Sequence, residues 1–199
     1  MIPEPLPGIH KKDGVEQDMD QQKIRQTILD WGAYRVGFVA VKDIQFEREF
    51  RNMCASNACG MYGRSWMCPP CVGEIEDLIA QAKTYRWAMV YQTVNDLEDS
   101  YDIEGMLEAG KQMNRLTERI RENLDFGPDA LTLGAGGCRI CPVCAKVKNE
   151  PCRFPEKAIS SLEAYGVNVS RLAELADMKY INGQDTVTYF GTVFYGKEG

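Results

Sequence analysis

Eight cysteines stand in two compact groups in this chain of 199 residues, and thiols grouped in this way are a set of metal ligands. The first group is Cys54, Cys59, Cys68 and Cys71, spaced C-x4-C-x8-C-x2-C. The second is Cys138, Cys141, Cys144 and Cys152, spaced C-x2-C-x2-C-x7-C. Four thiolates complete the ligand set of a tetrahedral Zn2+ or of a 4Fe–4S cubane. No cysteine is left over.

The run Cys138-Arg139-Ile140-Cys141-Pro142-Val143-Cys144 has the two-residue gaps with which bacterial ferredoxins supply three ligands of a cubane. A turning backbone then aims successive thiolates at one compact cluster. Zinc ordinarily takes two ligands from one knuckle, so this triple is unusual for it. Cys152, followed by Arg153-Phe154-Pro155, is the fourth ligand by position. Gly134-Ala135-Gly136-Gly137 permits close backbone approach and offers N–H donors to cluster sulfur. Placed before cysteines rather than a helix, it makes a poor dinucleotide fingerprint. Arg139, Lys146, Lys148 and Arg153 either balance an anionic cluster or are ordinary surface charge.

The first group is less specific. Cys54-x4-Cys59 and Cys68-Pro69-Pro70-Cys71 suit a cubane, a zinc knuckle or, because Cys68-x-x-Cys71 precedes a helical pattern, a redox dithiol. The two prolines predict an extended path with three residues per turn, which presents both thiols on one side. The cofactor reading is therefore two 4Fe–4S clusters, with Zn2+ as the alternative.

The rest of the composition narrows the classes. Hydrophobic residues make up 44% of the chain, enough for a core without disulfide staples. The net charge of −6, with both signs interspersed, argues against nucleic-acid binding through a basic surface. No apolar run has the length of a membrane span, and residues 1–8 lack the pattern of a signal peptide. A cytoplasmic location is expected, where clustered cysteines are ligands or redox groups rather than disulfides. His10 is the only histidine, so a Ser–His–Asp triad is excluded. The radical-SAM triple and a phosphate-binding loop are absent as well. Tyr62, Trp66 and Tyr165 could shield a cofactor, with core packing as their ordinary role.

These loops must be carried by a scaffold, and the periodicity outlines one. Residues 1–17 read as a flexible lead-in, and residues 18–199 as a single α+β metal-binding domain. Helices are predicted over Gln21–Trp31, Glu74–Lys83, Ile103–Leu124, Glu156–Tyr165 and Arg171–Ala176. Strands are predicted over Tyr34–Val41, Arg86–Val94 and Ala130–Leu133, with a final hairpin of Met178–Ile181 and Thr186–Tyr195 about Asn182-Gly183. Asn52–Gly73 is too long for a simple connector. The fold class is α+β: an antiparallel or mixed sheet with packed helices and two cysteine-rich metal loops, placed at the sheet ends.

Several stretches resemble the metal-binding proteins grouped as domain-of-unknown-function family 2284. They are Cys59-Gly60-Met61-Tyr62-Gly63-Arg64-Ser65-Trp66-Met67-Cys68-Pro69-Pro70, Gly136-Gly137-Cys138-Arg139-Ile140-Cys141, Pro151-Cys152-Arg153-Phe154-Pro155-Glu156-Lys157-Ala158 and Ser161-Leu162-Glu163-Ala164-Tyr165-Gly166-Val167. The resemblance implies cysteine-ligated metal, as iron–sulfur, in mainly anaerobic microbes, and implies no substrate. Carried over residue by residue it supports Cys54, Cys59, Cys68, Cys138, Cys141, Cys144 and Cys152. It stops at Cys68-Pro69-Pro70, and a Cys71 that does not ligate would leave an open iron in the first cluster.

Three functions follow. The first is an electron-transfer protein with one 4Fe–4S cluster per cysteine group and a redox partner protein. The second is a redox enzyme, a reductase or corrinoid-linked activator, using an open-coordination cluster. The third is a zinc-stabilised interaction module.

Overall fold

The computed structural model describes residues 14–197, with side chains from residue 20 onward. Most of the expected lead-in, His10 included, lies outside the described residues. In chain order the elements are α1 (Gly14–Asp30), β1 (Arg35–Ala40), α2 (Phe50–Ala55), α3 (Ile75–Lys83), β2 (Tyr85–Asp96), α4 (Ile103–Asn123), β3 (Leu131–Gly134), β4 (Ser160–Ser161), α5 (Val169–Leu175) and β5 (Thr186–Lys197).

β2 and β5 pair antiparallel along their length, from Trp87 opposite Tyr195 to Asp96 opposite Thr186. β1 pairs antiparallel with the other edge of β2, β3 pairs antiparallel with β5, and β4 runs parallel to β3. The sheet is mixed, in the order β1-β2-β5-β3-β4. Side chains alternate across it, so Ala88 and Val90 face one layer while Met89 and Tyr91 face the other. Against Met89 and Tyr91 lie Ile24 and Ile28 of α1 and Met113, Leu116 and Ile120 of α4. Against Ala88 and Val90 lie Leu78 and Ala82 of α3, Leu172 of α5 and Tyr165. Both faces are covered, which explains why Arg86–Val94 reads as a nearly unbroken apolar run. α4 begins where Asp102 Oδ1 accepts the Gly105 N–H at 2.8 Å, a cap that contributes about 1 kcal/mol. α5 is capped likewise by Asn168, whose Oδ1 accepts from the Arg171 N–H.

Two stretches differ from the sequence expectation. Residues 156–165 form β4 and a 3-10 turn at Glu163–Tyr165 instead of a helix. Gly134 O accepts from the Leu162 N–H and β4 pairs with β3, so the backbone groups are taken by the sheet edge. Met178–Ile181 forms no hairpin strand. β2 occupies one edge of β5 along its length, and Tyr180 stacks on Phe190 with ring centroids 5.9 Å apart. That segment passes close over β1, where a side chain on Gly37 would meet Ala176 O at 3.0 Å and Met178 Cε at 3.2 Å.

Candidate metal centre

The first cysteine loop is carried across the α3–α5 face to the β3–β4 edge. Phe46 bridges to Val167, and the Glu47 N–H donates to Gly166 O at 2.6 Å. Gly166 has φ +73 and would bring a Cβ within 3.0 Å of Glu47 O, so this crossing requires glycine. α2 then presents Cys54 from its last turn, close enough to Glu163 for the carboxylate to act on the thiol. Turns at Gly60 and Gly63, both with positive φ, lead to Cys68. The expected extended path over Pro69-Pro70 is a turn instead: this peptide bond is cis, and the Val72 N–H donates back to Cys68 O at 3.1 Å.

The second loop leaves β3 through Gly134–Gly137. Cys144 precedes a 3-10 turn at Ala145–Lys148, and Asn149, in the left-handed region at φ 55, returns the chain towards Cys152. Cys138, Cys141, Cys144 and Cys152 line one cavity. Ser65, Trp66 and Met67 of the first loop line it as well. Trp66 Nε1 donates to Glu150 O at 2.9 Å, and Lys146 Nζ lies 4.5 Å from the centre of its ring. Ser160 Oγ and Met67 Sδ are 3.8 Å apart, tying the same segment to β4. The two loops thus meet beside β3 and β4.

They touch at Gly137, where a Cβ would stand 3.0 Å from Cys68 Sγ. Burial pushes the Cys68 thiol up; the Ser65 hydroxyl draws it down, and Cys59, Cys54 and Cys138 push it up further. Burial also raises Cys54, with Arg51 opposing and Cys59 and Glu163 adding to the rise. Burial raises Cys138 against the backbone N–H groups of Ile140 and Ile159, with Cys152 and Cys144 raising it too. At Cys144 burial again pushes up, but the N–H groups of Lys146 and Trp66, the Ser65 hydroxyl and Arg153 outweigh it and the thiol lies below its ordinary value. Gathered thiols that resist joint ionisation, with N–H donors aimed at sulfur, form an environment that a bound cation relieves. Among the described residues, no three ligating side chains close round a single ion-sized point.

A cavity of about 250 Å³ lies alongside, lined by Arg139 next to Cys138, Glu163 next to Cys54, and the stacked Tyr180 and Phe190.

The family model for predicted metal-binding proteins, domain of unknown function 2284, matches residues 37–195. The chain belongs to this family. No curated protein and no solved structure gives a significant match. Among the described residues, no helix is long and apolar enough to cross a membrane.

Sequence reasoning named all eight cysteines and the glycines ahead of Cys138. It did not single out Ser65, and it offered Trp66 as a shield for a cofactor with core packing as its ordinary role; the ring lines the second cysteine cavity. At Cys138 the backbone N–H groups that lower the thiol belong to Ile140 and Ile159, and at Cys144 to Lys146 and Trp66. No local pattern marks a backbone N–H as facing sulfur. The family stretch from Cys59 to Pro70, which contains Ser65 and Trp66, was the available signal.

Proposed function

We propose that this family member is an iron–sulfur protein with one 4Fe–4S cluster in each cysteine group, acting in electron transfer. Cys54, Cys59, Cys68 and Cys71 would hold one, and Cys138, Cys141, Cys144 and Cys152 the other. Bound there, each cluster would supply a one-electron redox couple. The observation that carries the reading is the contact of the two loops, with Cys68 against Gly137 and within electrostatic reach of Cys138. Two redox groups held so close can pass an electron between them. The four thiols of the second group share one cavity, and their C-x2-C-x2-C spacing suits a cubane better than a zinc knuckle.

The chain's own residues prepare the second site. The N–H groups of Ile140, Ile159, Lys146 and Trp66 stabilise anionic sulfur, and Trp66 and Met67 wall the thiols from water. Val143, Val147 and Phe154 are exposed around this loop, whose residues 138–154 carry four cations against one carboxylate on a chain of net charge −6. A redox partner with an acidic docking face fits that surface. The expected cytoplasmic location is part of the same reading.

Iron and acid-labile sulfide, counted on protein purified without oxygen, test this. About eight of each per chain is expected; about two zinc with no sulfide would overturn it in favour of the zinc module.

Cys71 favours a second reading, the open-coordination redox enzyme. The family stretch ends at Cys68-Pro69-Pro70, before Cys71, and the cavity lined by Arg139 and Glu163 is available to a small molecule. A substrate-dependent change in the first cluster's spectrum would select it, and reversible reduction without any such change would select the carrier.

A further inference from the structure

We propose that the cavity between α4, β5 and the second cysteine loop is a binding site for an α-amino acid with an apolar side chain. This names a ligand class for the open-coordination reading above and rests on that reading's cavity. β3 pairs with β5 only as far as Leu133 opposite Thr192, after which the chain turns away through Gly134–Gly137. Among the described residues, the same edge of β5 at Thr188, Tyr189 and Phe190 has no strand partner. The cavity of about 250 Å³ occupies that place, so backbone N–H and C=O groups of the edge are open to a ligand. α4 closes it from one face of the sheet, and Tyr180, stacked on Phe190, from the other. Its volume falls below the roughly 300–1,000 Å³ of sites for drug-sized ligands, which suits a small metabolite and excludes a dinucleotide.

Of the residues that line the cavity, only Arg139 and Glu163 are charged. Among the described residues, neither side chain has an ion pair or a hydrogen bond, and they do not pair with each other. The cavity therefore offers one cation and one anion, both without partners. A ligand of one charge would be drawn to one of them and repelled by the other, whereas a zwitterion satisfies both. The planar fork of Arg139 matches a carboxylate, and the Glu163 carboxylate accepts from an ammonium group. Asn114 stands on the same wall, its side-chain amide without a hydrogen bond among the described residues, and can donate to the one or accept from the other. Tyr180 and Phe190 supply rings against which an apolar side chain packs. Arg139, Asn114 and Gly136 also line a smaller cavity that reaches Cys138, so the Arg139 end of the site opens towards the second cysteine group.

The test is isothermal titration calorimetry of the full chain, purified without oxygen with its metal bound, against L-leucine, L-methionine and L-phenylalanine. At least one should bind once per chain with a Kd of about 1 mM or tighter, and failure of all three overturns the proposal. Analogues of the tightest ligand that lack one charge should bind about tenfold more weakly or worse; for L-phenylalanine these are 3-phenylpropionate and 2-phenylethylamine. Equal binding of either analogue overturns the proposal as well. Arg139→Gln should weaken the amino acid about tenfold and leave the analogue without a carboxylate unchanged; Glu163→Gln should do the same for the ammonium. Gly110→Leu, on α4 rather than on a cysteine loop, projects into the cavity from a position where the nearest atoms to a Cβ are those of the Tyr189 ring at 3.8 Å. It should abolish binding with metal content unchanged, and binding retained there would put the ligand elsewhere and overturn the proposal. Should Arg139→Gln fail to load metal, Gly110→Leu decides. The first cluster's spectrum separates this proposal from the enzyme reading. Amino acid binding without a spectral change supports the ligand site and retires the open-coordination enzyme. A spectral change with another class of small molecule, and no amino acid bound, supports the enzyme and overturns the ligand class.

Discussion

Gly137→Ala adds one methyl group to the second cysteine loop and should be felt at the first centre. The new Cβ would lie 3.0 Å from Cys68 Sγ and 3.7 Å from Met61 Cγ. Gly137 is not among the residues with positive φ, so alanine meets no left-handed backbone there. Non-bonded heavy atoms rest at roughly 3.5–4.0 Å, so the sulfur must retreat by about 0.5 Å or more. Metal–ligand distances tolerate only about 0.2 Å. Overpacking of this kind costs about 1–3 kcal/mol. At 1.4 kcal/mol per factor of ten, the first centre should lose its metal about 5- to 150-fold more readily. The assay is loss of iron from each centre under chelator challenge, with the second centre as internal reference. Gly136→Ala is the control: with φ +67 and nothing within 4 Å of the added Cβ, it costs about 1 kcal/mol of folding stability and favours neither centre. Equal retention at the two centres in Gly137→Ala would refute the claimed contact between the loops.

In metal-free protein at about pH 8, iodoacetamide should label Cys144 ahead of Cys54, Cys68 and Cys138, because its thiol lies below the ordinary value and theirs above it. Peptide mapping by mass spectrometry reads this, and equal rates would contradict it. The linked stability has opposite signs. The three raised thiols favour the metal-free fold below the unfolded thiol pKa, an advantage lost as pH rises through it towards their folded values. The contribution of Cys144 is present above the unfolded value and is lost as pH falls through its lowered one. Replacing Cys71 by Ser should empty the first centre of iron and sulfide, as should Cys59→Ser; retention of the first cluster in the Cys71 variant would make Cys71 a non-ligand and select the open-coordination reading. Gly191→Ala would put a Cβ 2.5 Å from Tyr91 Cζ and Oη and 2.8 Å from Met113 Cε. Overpacking, with loss of the 2.8 Å hydrogen bond from Tyr91 to Thr117, should cost about 2–4 kcal/mol in urea unfolding. A loss under about 0.5 kcal/mol, as at an ordinary surface site, would show that the core yields there.

The long elements were legible because their periodicity records two covered faces. Trp87–Tyr91 is apolar on consecutive residues, and Ile103–Leu124 carries its apolar residues three and four apart, as a strand between two layers and a helix lying on one must. Glu156–Tyr165 has a helical composition yet folds as an edge strand and a 3-10 turn. Its backbone partners, at Gly134, are distant in sequence and leave no trace in local spacing. The hairpin expected at Asn182-Gly183 fails for a related reason: Asn-Gly permits a tight turn but does not choose which edge the following strand pairs with, and β5 lies between β2 and β3.

The same division runs through the site. Thiol count and spacing point to metal as the chemistry, in keeping with the family of predicted metal-binding proteins, since ligand number and reach are properties of the chain itself. The meeting of the two groups depends on a crossing pinned at Glu47 and Gly166 and on Cys68 lying against Gly137. Ser65 illustrates the limit: in sequence it is a polar residue in a loop, and only the packed structure buries it in the wall of the second cysteine cavity. The sequence by itself determined the candidate ligands and most of the helix and strand periods, because these are set by neighbours along the chain. The tertiary structure alone decided which cysteines approach one another, which N–H groups face sulfur and where a cavity opens beside them, because these are set by contacts between residues far apart in sequence.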